Sequence, residues 1–173
     1  ILERAGLADT PVAQGAAEPL AQPLQTGSHV HGVDGLGNTN PPLPSGSITG
    51  ESASDQIVRI GLESPGELDL LAVGPLTNLA RAVEQDRDAL DRFRSVVILG
   101  GSGCEAPGLD AVWEDPNIYN DPEAADVVFR TAGNIVMVGM NLYPYLILDE
   151  VQLRHLQEAN QPHSDFIWAM LQY

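Results

Sequence analysis

Three short stretches of this chain are almost unbroken apolar runs: residues 68–73 (LDLLAV), 96–99 (VVIL) and 135–140 (IVMVGM). That pattern predicts strands buried on both faces. The segments between them change period. Residues 78–93 put Leu79, Ala82, Val83, Leu90 and Phe93 on one side of a helix. Asp121, Pro122 and Glu123 offer an N-cap, a preset first residue and a first-turn acid for a helix running to about Thr131. Ile57, Val58, Ile60 and Leu62 predict a short amphipathic helix broken near Pro65-Gly66. Asp149 starts a helix to about Ala159, and residues 166–173 form another. At the other end, residues 1–6 read as a helix end stopped by Gly6, and residues 11–15 as a short strand.

The resulting order is strand, helix, strand, loop, helix, strand, helix. Such alternation predicts the α/β class: a mostly parallel, Rossmann-like open sheet flanked by helices. Residues 1–173 are expected to form a single partial α/β domain, with a long loop at 16–50 and a second at 102–120. In open parallel sheets, ligands bind at the carboxyl ends of the strands. Those ends carry Gly74-Pro75-Leu76-Thr77-Asn78, Gly100 to Gly103, and Gly139 to Asn141.

Composition narrows the partners. The net charge is −16, with 8 Arg and no Lys. Phosphate backbones need basic groups, so nucleic acid is not an expected partner. No apolar run approaches the ~20 residues of a membrane span, and no membrane association is expected. One cysteine, Cys104, can form neither an internal disulfide nor a multi-cysteine zinc site, which fits a reducing cytoplasm.

Candidate chemistry gathers in a few motifs. They are His29-Val-His-Gly-Val-Asp-Gly-Leu-Gly-Asn38, Val73-Gly-Pro-Leu-Thr-Asn-Leu-Ala80, Val96-Val-Ile-Leu-Gly-Gly101 and Pro116-Asn-Ile-Tyr-Asn-Asp-Pro-Glu-Ala-Ala125. Pro11-Val-Ala-Gln-Gly15 and Ile135-Val-Met-Val-Gly139 extend the set. In order and spacing the chain resembles the inosine-uridine preferring nucleoside hydrolases, over nearly its whole length. The resemblance implies hydrolysis of the N-glycosidic bond of ribonucleosides to ribose and free base, a calcium ion as cofactor, and a homo-oligomer, dimer or tetramer.

The resemblance also implies roles for particular residues. Thr77 matches a position whose main-chain carbonyl binds calcium; the plainer reading is that Thr77 and Asn78 cap the following helix. Asn117 matches an asparagine that hydrogen-bonds the ribose. A glutamate two residues earlier in the family contacts the 5′-hydroxyl; here Asp115 stands there, with Glu114 one residue before. His31 matches a histidine near the base, placed to donate a hydrogen bond to the leaving group. Leu99 takes the place of a methionine beneath the ribose. Asp34 and Asn38 receive no catalytic role.

Several family features have no counterpart. There is no Asp-x-Asp-x-Gly-x-Asp-Asp pattern, and so no main set of calcium carboxylates and no general base. His163-Ser164-Asp165 does not match the later metal-binding His-Asp pair, and Asn141 and Pro144 replace a family aspartate and histidine. The expectation is therefore a piece of a longer hydrolase, inactive by itself. The alternatives are a non-catalytic nucleoside or ribose binding module and a structural fragment or partner subunit of the same fold.

Overall fold

The structure, a computed structural model, describes residues 1–102 and 115–173. The chain forms two compact units. One comprises residues 13–24 and 49–146 and holds the sheet; the other comprises residues 1–12, 25–48 and 147–173. Its elements in chain order are α1 (Ser28–His31), α2 (Ala53–Glu63), β1 (Asp69–Ala72), α3 (Thr77–Gln85), β2 (Ser95–Leu99), α4 (Pro116–Tyr119), α5 (Pro122–Thr131), β3 (Ile135–Val138), a 3-10 helix (Met140–Tyr145), α6 (Glu150–Glu158) and α7 (Pro162–Met170).

In the sheet unit, β1, β2 and β3 pair in sequence order, and both pairs are parallel. Leu71 is opposite Val97, and Val97 is opposite Val136, so these three side chains share one face. The other face carries Ala72, Val96 and Ile98, packed in one core with Leu76, Leu79 and Ala80 around α3 and Ala124, Ala125 and Val128 of α5. The three expected sheet strands, the helix from Pro122 and the parallel pairing are present. β3 stops at Val138, because Gly139 caps the 3-10 helix that takes up Met140.

Three expectations change. The helix expected over 78–93 ends at Gln85. Asp86 leaves helical geometry, and its side chain accepts from the Asp88 N–H at 3.1 Å, offering the backbone an alternative to the next helical turn. Ala89, Leu90 and Phe93 stay in the core from non-helical turns. Residues 11–15 make no strand, only an isolated bridge from Gln14 to Ser52. Neither Thr77 nor Asn78 caps α3: Leu76 is the N-cap residue, and no side chain caps that end. The helix end at Gly6 is present as a bonded turn. The Leu7 N–H donates to the Leu2 carbonyl and the Gly6 N–H to the Glu3 carbonyl, with Gly6 at φ 74°.

In the other unit, residues 25–48 are irregular apart from α1. They contain a loop organised around Asp34, whose Oδ1 accepts from the Leu36 and Asn38 N–H groups and whose Oδ2 accepts from Asn40, each at 2.8 Å. Among the described residues no helix is long and apolar enough to cross a membrane.

Candidate site at the carboxyl ends of the strands

β2 ends at Leu99, and the chain turns at Gly100 and Gly101. Gly100 is needed for close approach. A Cβ there would lie 3.1 Å from the Asp115 carboxylate and 3.2 Å from the Ile118 side chain. Asp115 caps α4, its Oδ2 accepting from the Ile118 N–H at 2.8 Å. Its residue is 4% exposed, and its other oxygen is buried with no partner among the described residues. A buried carboxylate oxygen left without a donor costs free energy.

Asn117 stands in the same turn of chain. Its Nδ2 donates to the Leu99 carbonyl at 2.8 Å, which ties the side chain to the end of β2. Leu99, Asp115 and Asn117 are thus brought together at one strand end. Glu114 lies outside the described residues.

Thr77 opens α3 after the end of β1 and is buried. Its hydroxyl donates to Asp121 Oδ2 at 2.6 Å. Asp121 was legible in the sequence only as the cap of α5, and it does accept from the Ala124 N–H at 3.1 Å. The structure gives it a second task. Oδ2 also accepts from the Leu20 N–H at 3.0 Å. Nearby, Asn78 accepts from the Ala16 N–H at 2.8 Å. Segment 13–24 is therefore stitched to the first turn of α3 and the start of α5. Sequence gives little warning of this, because the bonded residues are 101, 62 and 44 positions apart.

His31 belongs to the other unit. It is the exposed last residue of α1, and its carbonyl accepts from the Gly37 N–H at 2.8 Å. The Asp34 loop thus holds its backbone. Asn38 Oδ1 reinforces that loop by accepting from Val33 N–H at 2.8 Å.

Calcium wants 6 to 8 oxygen ligands. Among the described residues no three His, Cys, Asp or Glu side chains converge. One carbonyl at Thr77 does not make a calcium site, so the described residues do not fit that ion by themselves.

The described residues thus form an open parallel α/β sheet with a tethered amide and a buried carboxylate at one strand end. The chain belongs to the inosine-uridine preferring nucleoside hydrolase family, whose model matches residues 1–173. It is 37% identical over 175 residues to the probable uridine nucleosidase 1 of Oryza sativa subsp. japonica, covering 100% of this chain and 53% of the relative. It is 31% identical to the inosine-uridine preferring nucleoside hydrolase of Leishmania major, covering 100% of this chain and 55% of that one. A solved plant nucleoside hydrolase superposes with a TM-score of 0.87 at 35% identity, over 98% of this chain and 54% of that chain. The chain spans about half the length of the curated relatives it matches.

Proposed function

We propose that this chain supplies the ribose-contacting part of a ribonucleoside hydrolase, which releases ribose and a free base. The observation that carries this reading is the anchored Asn117. One N–H of its amide is used on the Leu99 carbonyl, which fixes the side chain, and its oxygen would accept from a sugar hydroxyl. The Asp115 oxygen that has no partner among the described residues would offer a second acceptor in the same corner. Acceptors beside a ribose favour the positive charge that develops as a glycosidic bond breaks. Leu99 would form the apolar floor under the sugar, Glu114 would share the acidic role of Asp115, and His31 would donate to the leaving base. Calcium, with Thr77 as one ligand, belongs to this proposal only through further length of polypeptide that brings the missing carboxylates. A cytoplasmic homo-oligomer working in nucleoside salvage completes the reading.

The test is kinetic. In the complete protein, Asn117→Ala is expected to lower turnover of uridine or inosine by about tenfold to a hundredfold, the value of one lost hydrogen bond. A rate within about twofold of the parent, with a lowered Tm, would reduce Asn117 to a loop residue and leave a binding module as the better account.

A further inference from the structure

Asp121 is 0% exposed. Among the described residues its carboxylate meets no basic side chain. Its recorded donors are the Leu20 N–H, the Thr77 hydroxyl and the Ala124 N–H. A buried carboxylate held only by neutral donors is costly, and a helix cap alone does not call for it. An asparagine would cap α5 equally well. What asparagine cannot do is accept on both sides, because one of its two terminal atoms is an NH2 group. Capping α5 uses Oδ1, while Oδ2 takes two further donors from segments that are distant in sequence. The residue type therefore matches the clamp and exceeds what the cap needs. The clamp also has a short lever to the strand end: the Asp121 N–H donates to the Ile118 carbonyl at 3.3 Å, one residue after Asn117.

We infer that Asp121 is a positioning residue. Its carboxylate locks the first turn of α3, segment 13–24 and the α4–α5 corner into one frame, and that frame sets where the Asn117 amide stands. The inference rests on the proposed ribose role of Asn117 for its functional meaning, but its geometry can be measured separately.

The experiment is NMR on the 173-residue chain, comparing Asp121→Asn, Thr77→Val and Thr77→Ser. Thr77→Val removes one donor with little change of shape, and Thr77→Ser restores it. In Asp121→Asn and Thr77→Val, the Leu20 amide is expected to exchange about tenfold faster, the Ile98 amide in the core to keep its protection, and the Asn117 side-chain amide signals to shift. Thr77→Ser is expected to return all three to the parent values. If the Asn117 signals stay in place in Thr77→Val, or if Ile98 loses protection as much as Leu20 does, Asp121 is an ordinary structural residue and the inference fails. Turnover of Asn117→Ala in the complete protein reads the ribose role independently. A rate close to the parent's counts against that role, whereas the amide protection and the Asn117 signals above decide the positioning role.

Discussion

Asp34 shows how one exposed carboxylate can organise a loop. The Asn40 N–H, with those of Leu36 and Asn38, holds its carboxyl below the usual carboxylate range. A depressed pKa in the folded chain means the ionised form is the one the loop binds. Its contribution is present above the ordinary Asp value of ~3.9 and is lost as pH falls through the lowered folded value. Acid titration followed by amide exchange is expected to release Leu36, Asn38 and Asn40 together, below the range where ordinary carboxylates protonate. Asp34→Asn keeps one accepting oxygen, so it is expected to release Asn40 at every pH while Leu36 and Asn38 can stay bonded; in the acid titration, independent loss of the three amides would contradict the reading. In the sequence, Asp34 was one acid in a glycine-rich run. Only the left-handed turns at Gly35, Gly37, Asn38 and Asn40 reveal that three N–H groups converge on it. The residues at the strand end were legible by type and place, but their partners were not. The Asn117 bond to Leu99 joins residues 18 positions apart, which no local pattern announces.

Among the elements, the three sheet strands and the caps at Asp121 and Asp149 were the legible part, because apolar runs and capping residues act over a few neighbouring positions. Asp149 heads α6 as expected, in a reciprocal capping box with Gln152: Asp149 Oδ1 accepts from the Gln152 N–H at 2.8 Å, and Gln152 Oε1 from the Asp149 N–H at 2.9 Å. Asp149→Ala is expected to cost about 0.5–2 kcal/mol, read as a lower Tm or faster exchange confined to α6. The false extension of α3 to Phe93 has a different cause. Ala89, Leu90 and Phe93 are buried, so the apolar signal there was real, but Asp86 ends the helix and the core is reached from turns instead. Part of the demand on those turns comes from α2. A Cβ added to Gly61 would stand 3.3 Å from the Ala89 carbonyl and from Arg92 Cβ, so α2 rests directly on that segment. Gly61→Val is expected to destabilise the sheet unit by about 1–3 kcal/mol in a denaturant melt.

At the scale of the whole molecule, the sheet is covered unevenly. Two parallel crossovers that step in the same direction put their helices on the same face when both keep the usual right hand. The buried Val96 and Ile98 face α3 and α5 accordingly. On the opposite face, Leu71 is 67% and Val136 52% exposed. Parallel sheets are normally buried on both sides, so this face is expected to bind a hydrophobic dye or promote self-association of the 173-residue chain. Replacing Leu71 and Val136 by Thr is expected to reduce both without lowering Tm, as checked by dye fluorescence and light scattering. The metal ligands give a further expectation. Calorimetry of this chain with calcium is expected to show no micromolar binding, since Thr77 brings at most one of the 6 to 8 oxygens required. A micromolar Kd would place the ligands elsewhere in the chain.

The bond from Asp121 to the Leu20 amide also sets a timetable. A ribosome releases residue 20 long before residue 121, 101 positions later. At about 5–20 residues per second that is roughly 5–20 s of synthesis. Throughout that interval segment 13–24 has neither the carboxylate that holds Leu20 nor, for most of it, the Asn78 side chain that holds Ala16. Apart from its bridge at Ser52, segment 13–24 is therefore fastened late, and a nascent chain stalled before Asp121 would present that segment to proteases.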